Sequence, residues 1–444
     1  MEEFAARGAL DGVCSGWLDI FRGGRVRDLL DSALTDILPD VDRLAPEPDK
    51  IFEAFRYFQP EKTRVVIVGQ DPYPKAGDAV GLCFSSRGRP PSSLRNVFRC
   101  LKKSGLVDPI PVFSSVRHWA FQGVLMVNAI LTTVVGRSKA HVDRWQRPEG
   151  SAVGAILAEL DTRVPGIIYL LWGRDARSYA AGSDRSAAGQ PVFLHWSHPS
   201  PQADMRLPAG SRFEDCPHFL KANELLGGRG KRPVEWSAWA PTRVFTDGAC
   251  SGNGTRSASA RFGLIFTSGP LAGSKIQGLV PGRGLRLERD ALQCSADEMP
   301  PTNNRAEYLA VCAALLAHKL TESRGKLTIY SDSRLVIKTL TEWYPRRKAA
   351  GTEEELKNLD LVGIAVQLIE EIRASRPNLQ ADMPEGAATV RFIHVHSHEK
   401  EPERGSEAYF AWAGNNAADT LATTATCLKV SGSAVLTNMF KFSV

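Results

Sequence analysis

Four short, mostly apolar runs do most to limit what this chain can fold into: Arg64 to Val68, Val124 to Val127, Ile167 to Leu171 and Val192 to Trp196. A strand with one wet face alternates apolar and polar residues, whereas a continuous run suits a strand covered on both faces. Helix-patterned stretches between the runs, Ser93 to Lys103 and Ala152 to Asp161, complete a strand–helix–strand repeat. That repeat predicts a parallel four-stranded sheet inside a three-layer α/β/α domain. Ligands of such sheets bind beyond the carboxyl ends of the strands. Each run is followed at that end by a chemically pointed segment: Gly69-Gln70-Asp71-Pro72-Tyr73-Pro74, then Asn128, then Trp172-Gly173, then His198-Pro199-Ser200-Pro201. A carboxylate, an amide and an imidazole are therefore expected along one rim.

These segments resemble the family 1 uracil-DNA glycosylases. The likeness rests on the G-Q-D-P-Y loop, on Leu82 to Ser85 (L-C-F-S), on the strand end Leu125 to Thr132 and on the H-P-S-P loop, and it spans roughly residues 10 to 236. The resemblance implies an enzyme that draws uracil out of the base stack and hydrolyses its glycosidic bond without a cofactor. Phe84 would then stack on the extruded base, Asn128 would read its edge with one donor and one acceptor, and Tyr73 would fill the space of a thymine methyl group. Gln70 would offer backbone contact to the base. His198 would hydrogen-bond the developing O2 charge of the leaving uracil, and Asp71 would orient water and stabilise the cationic sugar. Ser93, Ser200 and Ser183 would grip phosphates. The chain departs from the family at Pro74, where His is usual, and at Gln202, where the family places a Leu wedge that fills the vacated stack. Gln202 is polar and costs more to insert between bases.

The second half carries different chemistry. Strands are predicted at Arg243 to Thr246, Arg261 to Thr267, Leu327 to Tyr330 and Thr389 to Val395, with helices from Asn303, near Leu335 to Trp343, at Leu361 to Ile372 and around Asn416 to Thr423. Four acids arrive from different elements: Asp247 ends a strand, Glu307 sits in the first turn of a helix, Asp332 follows a strand, and Asp419 lies in the last helix. Phosphodiester hydrolysis by two divalent ions needs such a set.

The contexts T-D-G, T-N-N-R-x-E, S-D-S, a late His and N-x-x-x-D resemble the type 1 ribonuclease H family over roughly residues 243 to 426. The resemblance implies a mixed five-stranded α/β domain that cleaves RNA in RNA/DNA hybrids. Asp247, Glu307, Asp332 and Asp419 would hold two Mg²⁺ ions, with Mn²⁺ as the other candidate metal. His398 matches the family's mobile His, with His396 as the competing assignment. Asn253, Asn303 and Asn304 are candidates for touching the RNA 2′-hydroxyl. Arg346, Arg347 and Lys348 resemble the basic protrusion that grips the DNA strand. Gly269 to Pro301, rich in Gly, Pro and charge, is expected to be a loop in part without fixed structure.

The 444 residues exceed what one core usually supports. The expected division is 1–236, a short linker 237–242, a second domain 243–428 and a tail 429–444. Eight cysteines stand singly, with no C-x-x-C pair, which suits reduced thiols better than zinc or disulfides. The net charge of +6 permits a polyanionic partner. No membrane span or secretory leader is visible, so an intracellular monomer at a site of DNA replication such as the nucleus is expected, with replication proteins as possible partners. The expected activity is bifunctional: uracil excision from DNA and RNA cleavage in hybrids. The alternative is that one or both domains serve as a non-catalytic nucleic-acid scaffold or polymerase-associated factor.

Overall fold

The computed structural model describes residues 1–177, 189–375, 389–397, 399–431 and 434–441. The chain divides into two compact units, Met1–Ala238 and Trp239–Val444.

The first unit is built on β1 (Val65–Gly69), β2 (Val124–Asn128), β3 (Ile168–Trp172) and β4 (Val192–Trp196). They pair in the order β2-β1-β3-β4, all parallel. Every residue of β1, β2 and β3 is buried, which is why their sequences are continuous rather than alternating. Helices cover the sheet, among them α1 (Gly24–Ile37), α2 (Ser92–Lys103) and α3 (Ala152–Arg163), each with an apolar stripe turned inward. Two further helices, the single turn α4 (Pro201–Asp204) and α5 (His218–Gly228), follow the last strand. The stretch after α5 is fastened rather than loose. The Asn223 amide exchanges hydrogen bonds with the backbone of Val234, and the Trp236 carbonyl accepts from Trp119 Nε1 at 2.9 Å.

The second unit is a mixed sheet with helices. Its strands are β5 (Thr242–Ser251), β6 (Ser259–Phe266), β7 (Lys275–Leu279), β8 (Arg283–Glu288) and β9 (Ala291–Glu298). After α6 (Asn303–Leu320) come β10 (Leu327–Ser331), α7 (Arg334–Lys338), α8 (Tyr344–Ala350), α9 (Leu359–Ala374), β11 (Val390–His394) and α10 (Glu407–Thr424). Two short strands, β12 (Lys429–Ser431) and β13 (Phe440–Lys441), close the order. The main sheet runs β11-β10-β5-β6-β7-β12, with β11, β10 and β5 parallel and the rest antiparallel.

Two expectations are corrected here. The sheet has six strands rather than five, because residues 429–431 of the supposed tail pair with β7. The stretch 269–301 is ordered rather than loose: it supplies β7 and a hairpin, β8–β9, against which β13 pairs. Burial explains both. Leu285, Ala291 and Leu292 are buried in the hairpin, and Leu436, Met439 and Phe440 are buried after β12. Hairpin and C-terminal segment thus hide apolar surface that neither could hide alone. The hairpin turns through Arg289 and Asp290, both at positive φ (45° and 64°), as a two-residue turn of this hand requires.

A buried ion pair ties this addition to the main body. Arg305, 1% exposed in α6, donates to both carboxylate oxygens of Asp360 in α9, at 3.0 and 2.8 Å, and to the Arg283 carbonyl at 3.2 Å. Asp360 also accepts from the Leu285 backbone N–H at 3.0 Å. Burial pushes the Asp360 carboxyl up, but the bonds from Arg305 outweigh it and hold the group below the usual carboxylate range.

Candidate functional site

In the first unit the ends of β1, β2 and β3 and the loop after β4 form one rim, because parallel pairing aligns them. Gly69 lies opposite Asn128 and Trp172 opposite Trp196. Gly69 is obligatory here: a Cβ would collide with the Asn128 carboxamide oxygen and with Cys83. Asn128 is itself buried at 8% exposure.

A cleft of about 430 Å³ opens on this rim, lined among others by Gln70, Lys139, Trp172, Arg174, His198 and Gln202. Ser200 lines it too, and its hydroxyl caps α4 by accepting from the Ala203 N–H. Asp71 is aimed by two donors, the Ser138 hydroxyl at 2.7 Å and the Lys139 backbone N–H at 2.8 Å. Lys139 adopts φ 58°, an unusual conformation for a residue with a side chain, and so presents its N–H to the carboxylate. The Ser200 backbone N–H donates to His198 Nδ1 at 3.1 Å. In neutral His198 that bond leaves the ring proton on Nε2, so Nε2 is the donor.

Phe84, also at positive φ (62°), sets its ring 5.3 Å from Trp172 and 6.4 Å from His198. The Tyr73 hydroxyl donates to the Phe84 carbonyl at 3.2 Å, which joins the two aromatic residues. Burial pushes the Tyr73 phenol up, so it stays a neutral donor. Ser93 lies in the first turn of α2. Ser183 lies outside the described residues. Lys139 and Arg174 escaped the sequence reading, since neither belongs to a motif and only the fold brings them to the cleft.

In the second unit the four acids converge. A cleft of about 430 Å³ is lined by Asp247, Glu307, Asp332 and Asp419, with Asn303, His396, Trp412 and Asn415 among the other walls. Oxygen atoms of Asp247, Glu307 and Asp332 lie within 4.8 Å of one another. The elements are forced together at Gly248, where a Cβ would press on the backbone of Ala306 and Glu307. The Thr302 hydroxyl caps α6 by accepting from the Arg305 N–H, which fixes the turn that carries Glu307.

The electrostatics are strained. Burial first, then the neighbouring Asp332 and Asp419, raise the Asp247 carboxyl to about 8. Burial, Asp247 and Asp332 push Glu307 well above its usual range. Glu307 Oε2 and Asn415 Oδ1 are buried without a hydrogen-bond partner. Converging acids that repel one another, with an orphaned buried oxygen among them, fit a hard divalent cation.

Other sequence candidates lie around this cleft. Asn253 Oδ1 accepts from the Asn303 backbone N–H at 3.4 Å. Asn304, Arg346 and Arg347 line a neighbouring groove of about 520 Å³ with Trp343, while Lys348 rests over the Tyr344 ring at 5.7 Å. His396 is exposed on the acidic cleft, 4.0 Å from Glu399, and His398 lies outside the described residues. Trp412 and Asn415 were not anticipated. Both lie on α10, the helix of Asp419, so helical spacing back from that acid was the available signal.

The Uracil DNA glycosylase superfamily model matches residues 55–227, and the RNase H model matches residues 240–426. The uracil-DNA glycosylase of Equine herpesvirus 1 (strain Ab4p) is 38% identical over 198 residues, 44% of this chain and 59% of that protein's own length. That of Bovine herpesvirus 1.1 (strain Cooper) is 37% identical over 44% of this chain and 91% of its own length. That of Sinorhizobium medicae is 36% identical over 49% and 85%. Among solved structures, mimivirus uracil-DNA glycosylase superposes with a TM-score of 0.45 at 27% identity, over 50% of this chain and 86% of that one. The chain belongs to the uracil-DNA glycosylase superfamily through its first unit, and its second unit matches the RNase H family model.

Proposed function

We propose that the chain is a bifunctional hydrolase of nucleic acids: its first unit excises uracil from DNA, and its second cleaves RNA in RNA/DNA hybrids with divalent ions. The observation that carries the first activity is the shared rim of Asp71, Asn128 and His198, with Asp71 and His198 each aimed by backbone N–H groups.

In that reading an extruded uracil stacks on Phe84, with Gln70 and Asn128 against its polar edge. Tyr73, linked to Phe84 through its hydroxyl, would occupy the space of a methyl group at C5. As the C1′–N1 bond breaks, the electron pair moves to the base, and the Nε2–H of neutral His198 donates to the uracil O2. Asp71, held by Ser138 and Lys139, faces the cationic sugar and orients the water that ends on C1′. Ser93, Ser200 and Ser183 serve phosphate oxygens, and Gln202 meets the base left unpaired.

In the second unit Asp247, Glu307, Asp332 and Asp419 are the residues that would hold the ions. Bound divalent ions there supply charge neutralisation and an activated hydrolytic nucleophile. The chain's own contributions surround them. Asn253, Asn303 and Asn304 would read a 2′-hydroxyl, and Arg346, Arg347 and Lys348 would oppose the phosphates of the DNA strand. His398, or His396 beside the cleft, assists departure of the cut product.

The test is release of free uracil from a single-uracil oligonucleotide in EDTA, run beside cleavage of an RNA/DNA hybrid with and without Mg²⁺. Uracil release in EDTA with hybrid cleavage only in Mg²⁺ is expected. No release from either single strand or duplex would make the first unit a scaffold.

A further inference from the structure

The first unit exposes one apolar side chain far more than any other among the described residues. Met205 is 83% exposed, whereas the other exposed large hydrophobic residues range from 38% to 48%. A lone exposed apolar residue needs no explanation by itself. Its mounting does. Met205 follows α4 and continues its helical path, with φ −58° and ψ −22°, its N–H donating to the Pro201 carbonyl at 2.9 Å. Gln202 and Met205 are therefore three residues apart on one face of a turn, and Gln202 lines the rim cleft.

The turn is bolted from behind. Asn96 of α2, 6% exposed, donates from Nδ2 to the Pro199 carbonyl at 3.0 Å and to Asp204 Oδ2 at 3.2 Å. Arg99 holds the Asn96 oxygen at 3.0 Å, and Asp204 Oδ1 accepts from the Phe213 N–H at 2.8 Å. Both oxygens of Asp204, the residue before Met205, are thus fixed. The side chain that follows is held out into solvent on a braced support.

We propose that Met205 is the wedge with which the first unit enters stacked DNA, filling the gap beside a nucleotide drawn into the cleft. This rests on the glycosylase reading above. Proteins that unstack DNA insert an apolar side chain at the step they open, and Met is among the residues used. Its unbranched, polarisable thioether adapts to the flat faces of bases better than a stiff side chain. Gln202, one turn back on the same face, supplies the complementary polar function: its amide pairs with the edge of the orphaned base. The duplex is opened by the pair, with the apolar and polar tasks on separate residues.

The experiment uses the full chain with wild type, Met205→Ala and Met205→Leu. Substrates are a single-uracil oligonucleotide, alone and in duplex, with 2-aminopurine beside the uracil to report unstacking. Met205→Ala is expected to lower the duplex-to-single-strand ratio of uracil release roughly 10- to 100-fold, the size of losing one buried Met side chain. It should also abolish the rise in 2-aminopurine fluorescence on duplex binding, and Met205→Leu should restore both. An unchanged ratio, or equal loss on both substrates, overturns the proposal, as does a fluorescence rise that survives in Met205→Ala. A Met205-dependent rise without any uracil release would sink the glycosylase reading and leave the wedge standing.

Discussion

Asp247 illustrates how a residue can be placed against its own interest. An aspartate raised to about 8 by burial and by neighbouring carboxylates holds a proton in the folded state over a range where the unfolded chain has lost it. The sign follows. Folded protein binds the extra proton between about pH 4 and pH 8, so metal-free stability falls as pH rises through that window and is greatest at its acidic end. Asp247→Asn removes one of the repelling charges. In EDTA at pH 8 it should raise the melting temperature by several degrees, at about 2–4 °C per kcal/mol for a unit of this size, while hybrid cleavage in Mg²⁺ disappears. A lower melting temperature for the variant in EDTA would mean that the carboxylates do not repel. The same logic makes added Mg²⁺ stabilising for wild type and nearly neutral for the variant.

Among the elements, the unit 2 hairpin shows both what a sequence can reveal and where it falls silent. Strands β1, β2 and β3 of the first unit were legible because burial on both faces leaves a continuous apolar run, whereas β4 is only half-buried; the rim residues followed from where the four runs stop. The β8–β9 hairpin was not legible. Its turn is Arg289-Asp290, without the Gly or Asn that usually marks positive φ, and its apolar positions are sparse between charges. Strands β12 and β13 were hidden for another reason: they are fixed by pairing with distant strands, and nothing local announces them. Lys139 is similar, since its backbone role depends on where Asp71 lies. The Arg305–Asp360 pair is what holds the hairpin to helices α6 and α9. Arg305→Met should therefore destabilise the second unit by about 3–5 kcal/mol, because Asp360 is left buried with no cation. Urea unfolding followed by the loss of hybrid cleavage would measure it, and a change below about 1 kcal/mol would show that the pair is dispensable.

For the whole molecule, the two proposed chemistries draw on separate residues in separate units. Asp71→Asn should abolish uracil release and leave hybrid cleavage within about twofold of wild type, and Asp332→Asn should do the reverse. Assaying both reactions on each variant checks this, and loss of both activities from either substitution would show that the units depend on one another. The positions of the last strands carry a consequence for how the chain is made. All four strands of the first sheet end by Trp196, well before the second unit begins, so that unit can begin to fold while translation continues. The main sheet of the second unit waits for residues 429–431, its edge strand β12, and the β8–β9 hairpin waits for β13 at residues 440–441. During synthesis the edge of β7 stays unpaired until residues 429–431 have emerged, which makes the second unit the later-folding and more aggregation-exposed of the two.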